Sequence, residues 1–106
     1  MLAPGPAKKL IVYISEQAHW NHAPAWKAIV DLLYRQGCAG ATVTKAVAGF
    51  GARGDYHTSH IFSLREDVPM RIEMIETGEK IAELLPQIVE MASDGLIEVQ
   101  ETEIVK

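Results

Sequence analysis

The residues able to do chemistry gather in one stretch, Gly40 to Thr58, GATVTKAVAGFGARGDYHT. Within it Gly49, Gly51 and Gly54 bracket Phe50 and Arg53, so the backbone can take positive φ and approach a partner without a Cβ in the way. Arg53 is a mobile cation able to make paired bonds to a phosphate or carboxylate. His57 has a near-neutral reference pKa and can orient a ligand or report pH. Two histidine pairs, His19/His22 and His57/His60, have a spacing of three, which on a helix would offer two imidazoles to one metal. Both pairs read as loop or strand, where a spacing of three sends the rings to opposite faces. His57 and His60 are therefore weak metal candidates. Cys38 stands alone at a helix end and reads as packing. With no nucleophile elbow and no phosphate-binding P-loop, an enzyme, such as a small hydrolase, would have to assemble Arg53, Asp55, His57 and Glu73 across an interface. A non-catalytic protein is expected.

Composition sets the frame for these residues. The 106 residues suit one domain, and 48% hydrophobic with 23% charged residues argues against disorder. A formal net charge of −4 excludes the electrostatic footprint of a nucleic-acid binder. One cysteine allows no internal disulfide and fits a reducing compartment. No apolar run reaches the roughly 18 residues of a spanning helix, so no direct membrane insertion is expected. The opening MLAPGPAKK puts prolines and a glycine where a leader would need apolar residues. A loose tail over residues 1–7, a single domain over 8–106 and a cytoplasmic location are expected.

The elements that must position the loop follow in order. Lys9 to Ser15, apolar on both faces, predicts a central strand. A loop with His19, Trp20 and His22 leads to Pro24, which opens a helix carrying Trp26, Ile29, Val30, Leu33 and Tyr34 at helical spacing. Gly37 is placed to close it as the C′ residue. Alternating Thr42, Val43, Thr44 and Val47 predict a strand running into the glycine loop. The return comes in two pieces, Ile61 to Leu64 and Met70 to Ile75. Thr77 caps a second helix with Ile81, Leu84, Leu85, Ile88 and Met91 as its buried stripe, and Pro86 predicts a kink or break inside it. Leu96 to Val105 is the last strand. The order βαββαβ is that of an α+β, ferredoxin-like sandwich, an antiparallel sheet with two helices on one face. Strands apolar on both sides leave the other face uncovered, and self-association into a closed trimer or a dimer would bury it.

At this point the motifs carry a resemblance. Gly37-Cys38-Ala39-Gly40-Ala41-Thr42-Val43-Thr44, then Gly49-Phe50-Gly51 and His57-Thr58, is similar to the G-x-x-G-x-T-V-T strand, G-F-G exit and H-T of the PII signalling proteins. Residues 8 to 105 more closely resemble the PII-like branch known as a domain of unknown function, which reads GATV, GFGARG, HT, LP and IE in this order. The resemblance implies a homotrimer with ligand clefts between subunits. It also implies an adenine nucleotide in each cleft and a loop that docks on a partner, a regulatory protein or a membrane transporter. By position, Thr42 would bond the adenine edge, Gly49, Phe50 and Gly51 would form the loop base, and Glu73 would stand at the cleft. No cofactor is implied beyond that nucleotide. The chain departs from PII proteins where they hold a polyphosphate: Ser93-Asp94-Gly95 replaces a basic loop, and Glu98, Glu101 and Glu103 occupy the last strand. AMP is therefore expected over ATP. Tyr56 does not sit where PII proteins are modified. The alternative is a divalent-metal-binding trimer like the CutA proteins, another ferredoxin-like trimer.

Overall fold

The computed structural model describes residues 2–50, 56–57 and 68–106. The predicted strand Ile61 to Leu64 lies outside them. Among the described residues the elements are, in order, β1 (Gly5–Ser15), β2 (His19–Trp20), β3 (Ala23–Pro24), α1 (Ala25–Arg35), β4 (Thr42–Lys45), β5 (Gly49–Phe50), β6 (Tyr56–His57), β7 (Pro69–Glu76), α2 (Gly78–Met91) and β8 (Leu96–Ile104). The main sheet has the order β4-β7-β1-β8 with every pairing antiparallel. That is the ferredoxin-like arrangement expected from the element order.

β1 is an interior strand whose inward residues from Leu10 to Ile14 are all aliphatic. Leu10, Val12 and Ile14 lie opposite Met74, Ile72 and Met70 of β7 and join the core, each at most 5% exposed. Both helices close on this side. α1 brings Ala25, Ile29, Leu32 and Leu33, and α2 brings Ile81, Leu84, Ile88 and Met91. Thr77 caps α2 as expected, its hydroxyl accepting from the Lys80 amide at 3.1 Å. Gly37 takes φ +75° one residue beyond the α1 cap, the C′ geometry that its position in the sequence implied.

Several expectations need correction. β1 starts at Gly5, so residues 5–7, read as tail, are strand: they pair with β8, and Ala7 is buried. The loop after β1 is a small hairpin in which Asn21 and His22 both take positive φ, the geometry of a tight two-residue turn. Tyr34, placed on the inner stripe of α1, is 85% exposed, and Leu32 fills the core in its stead. α2 runs unbroken through Pro86. Pro86 and Ala82, the residue whose carbonyl loses its partner, both lie on the exposed side, where water can serve that carbonyl.

The face without helices is also more mixed than the strand patterns imply. Opposite residues share a face, so Lys9, Ile11 and Tyr13 stand with Ile75, Glu73 and Arg71 on one side and with Gln100, Glu98 and Leu96 on the other. Ile11 is only 3% exposed there although no helix covers it, while Tyr13 and Leu96 remain open. An apolar stripe thus runs between charged rows.

One close approach sets a limit on sequence. A Cβ added at Gly95, between α2 and β8, would sit 2.6 Å from the Tyr13 carbonyl oxygen, which is backbone and has nowhere to go. At Gly40 a Cβ would meet nothing within 4 Å. Gly95→Ala is expected to lower unfolding stability by about 1–3 kcal/mol. Gly40→Ala should stay within about 0.5 kcal/mol of the parent. Urea titrations of the two variants check the contrast.

Candidate functional site

β4 owes its place to Val43, which packs against the core opposite Ile72, while Thr42 and Thr44 project to the other side. On that side Thr42 pairs with Glu73 and Thr44 with Arg71. Two residues that the sequence brings forward only by resemblance, Thr42 and Glu73, are thus neighbours across one ladder. They line an open depression of about 390 Å³ together with Leu2, Ile75 and the chain that enters β4 at residues 39–41. Its polar groups are a hydroxyl and a carboxylate, and its apolar wall is aliphatic.

Glu73 does not stand alone. Its Oε1 lies 3.2 Å from an Arg71 Nη2 donor and 3.6 Å from Lys9 Nζ. Arg71 also donates from Nε to the Tyr13 hydroxyl at 3.2 Å, with its guanidinium 5.9 Å from the ring centroid. The hydrogen bond to Tyr13, and then that to Glu73, raise the Arg71 pKa further above its already high range. Each of these side chains is about a third exposed, so the pairs orient Glu73 more than they stabilise the fold. Sequence reasoning missed Lys9 and Arg71. The signal was there in the alternation of β1 and β7, but it means nothing until the register sets the two rows side by side.

The glycine-loop residues sit elsewhere. Gly49 and Phe50 form a short ribbon with β6, Gly49 pairing with His57 and Phe50 with Tyr56. Gly49 has φ +153°, and Phe50 is 64% exposed. This ribbon follows the Lys45 end of β4, and Lys45 is about 10 Å along the strand from Thr42 at 3.3 Å per residue. At that end Lys45 pairs with Glu16 at 3.2 Å and the Ala46 amide donates to the Pro69 carbonyl at 2.9 Å. Within one chain the expected site residues thus form two groups, one at each end of the β4–β7 ladder. Gly51, Arg53 and His60 lie outside the described residues.

The charge expected to line the cleft is also placed differently. Glu98, Glu101 and Glu103 belong to β8, the edge opposite β4, with β1 and β7 between. Only Glu98 shares the helix-free face, where it accepts from Gln100 at 2.7 Å. Among the described residues Glu73 is the charged residue that lines the depression, and Lys9 and Arg71 lie within 4 Å of its carboxylate. Among the described residues no three His, Cys, Asp or Glu side chains converge to hold a metal. His19 Nδ1 is 2.7 Å from the Gln17 carbonyl, and His22 lies in the turn beyond.

The comparisons with known proteins agree with this architecture. Residues 7–104 match the family DUF190, described as uncharacterized ACR, COG1993. The chain belongs to this family. It is 34% identical over 101 residues to a UPF0166 protein of Methanocaldococcus jannaschii, covering 94% of this chain and 93% of the relative. A UPF0166 protein of Aquifex aeolicus is 31% identical over 99 residues, covering 92% and 93%. Among solved structures, CPII, a nitrogen regulatory PII-like protein from Thiomonas intermedia K12 bound to ADP, AMP and bicarbonate, superposes with a TM-score of 0.66. It is 22% identical, with 98% of each chain covered. The fold is the ferredoxin-like α+β fold of PII-like proteins.

Cys38 shows how this site treats a potential nucleophile. Burial pushes its thiol above the ordinary range, the Glu76 charge pushes it further, and Lys80 draws it part of the way back. A raised pKa means less thiolate near neutrality and hence slower attack. Alkylation of Cys38 by iodoacetamide is expected to be slower at pH 7.5 (roughly one unit below the free-thiol midpoint) than for a free cysteine. Its rate should rise to a plateau at higher pH than free cysteine, and Glu76→Gln should move that midpoint down. Rates measured from pH 6 to 10, on either side of the ordinary thiol value of about 8.5, decide both points.

Proposed function

We propose that this chain is a non-catalytic, PII-like signalling protein that binds a small adenine-type nucleotide at the β4–β7 edge. The observation that carries the reading is the depression lined by the cross-strand pair Thr42 and Glu73 together with Leu2 and Ile75. An adenine edge presents an amino donor next to ring-nitrogen acceptors, which a carboxylate and a hydroxyl complement, and its flat face suits Ile75. The shared fold with CPII, solved with ADP and AMP, supports the same choice.

The depression is open, and a neighbouring copy would finish it. β4 and β8 are the two free edges of one sheet. In a closed homotrimer the β4 edge of one subunit faces a different edge of the next, and the gap between them becomes the cleft. Such a neighbour would bring its glutamate-rich β8 toward the phosphate end, which favours AMP over ATP. Gly49, Phe50, Gly51, Arg53 and His57 would then belong to the loop that senses the ligand and passes its shape to a partner, a regulatory protein or a membrane transporter. The site of action is the cytoplasm. Among the described residues no helix is long and apolar enough to cross a membrane.

Calorimetric titration with AMP, ADP and ATP, alongside the solution mass by light scattering, tests the reading. A trimer that binds AMP more tightly than ATP is expected. Thr42→Ala should weaken AMP by about fivefold, the worth of one hydrogen bond of about 1 kcal/mol, without changing the mass. Absence of binding by all three nucleotides at millimolar concentration overturns the proposal. Heat from Zn²⁺ alone would transfer support to the metal-binding alternative.

A further inference from the structure

The residues ahead of β1 share the same depression. Leu2 lines it beside Gly40, Thr42, Glu73 and Ile75, and is itself half-buried. Leu2 thus holds the chain ahead of β1 against the depression. Gly5, Pro6 and Ala7 pair with β8 alone, and pairing with β7 begins only at Lys8. From the start of β1 the chain therefore leaves the β8 side and reaches Leu2 in the depression between β7 and the entry to β4. The three steps from Gly5 to Leu2 span at most about 10 Å.

The joint is as telling as the reach. Gly5 takes φ +131°, a conformation L side chains rarely adopt, and Pro4 and Pro6 flank it. Each proline ring fixes its own φ, so Gly5, the first residue of β1 to pair with β8, has the widest φ freedom at the joint. Leu2 meets the depression with an aliphatic side chain that stays partly open to water, a contact weak enough to be exchanged.

We propose that residues 2–4 are a strap that closes the cleft of the free protein, Leu2 standing where the apolar part of a ligand goes, and that the strap swings out about Gly5 when the ligand enters. The proposal rests on the nucleotide reading above and adds its regulation: the chain competes with its own ligand. Removing the Leu2 side chain relieves that competition, so Leu2→Ala and a chain lacking residues 2–4 bind AMP more tightly, by about threefold to tenfold.

Two measurements on the full-length protein decide it. In methyl-labelled protein without ligand, nuclear Overhauser contacts from Leu2 to the Thr42 and Ile75 methyls are expected, and saturating AMP abolishes them. Their absence in the free protein overturns the strap whatever AMP does. Titration of AMP into the parent, Leu2→Ala and the chain lacking residues 2–4 gives the second arm. Tighter binding by both variants supports the strap, and binding as in the parent or weaker overturns it while leaving the nucleotide reading intact. Methyl contacts present, with no AMP binding by any of the three proteins, overturn the nucleotide reading and reduce the strap to a fixed wall.

Discussion

The antiparallel pairing of β1 with β7 is the interaction on which the rest of the molecule depends. Its register, Lys8 with Glu76 through Ser15 with Pro69, sorts every side chain of the two strands between a helix-covered side and an open side. On the covered side it matches Leu10, Val12 and Ile14 with Met74, Ile72 and Met70. On the open side the same register sets Lys9 and Arg71 around Glu73. A slip by one residue would bury the charges and expose the core, so the penalty for error is the whole core and the register is unambiguous.

That sorting ties the cleft to the sheet. Glu73 faces the depression shared with Thr42 and is also gripped by Arg71, which in turn holds Tyr13 on β1. Exposed ion pairs of this kind contribute little to stability, about 0–1 kcal/mol each. Their consequence is geometric, since a carboxylate held by two cations presents a defined lone pair to whatever enters the cleft. The helix-free face and the cleft are therefore not independent surfaces: a second copy laid on Arg71 and Tyr13 would touch the residues that orient Glu73.

The division of labour along β4 follows from the same physics. At its start Thr42 faces the cleft beside chain that carries no bulky side chain, while at its end the Lys45–Glu16 pair and the Ala46–Pro69 hydrogen bond pin the strand before the Gly49–Phe50 ribbon leaves the sheet. One strand thus separates the Thr42 end, at the depression, from the loop end by about 10 Å. β7, paired with β4 from Thr42 to Lys45, joins the two ends.

Amino-acid order alone determined the βαββαβ succession, the Thr77 cap, the Gly37 helix end and the inward faces of β7 and α2, because caps and apolar periodicity act between residues a few positions apart. It also singled out Thr42 and Glu73, through motifs shared with PII-like proteins. It erred where a local pattern has two outcomes. Pro86 reads as a kink or break, and the helix runs on through it on a water-facing side, while Gly5 to Ala7 read as tail until β8 offers them partners. Tertiary structure decided the rest: that Lys9 and Arg71 clasp Glu73, that the glutamates of β8 lie at the far edge from β4, and that Leu2 reaches the cleft. Each of these joins residues distant in sequence through strand order and register, and no local pattern encodes which strands become neighbours.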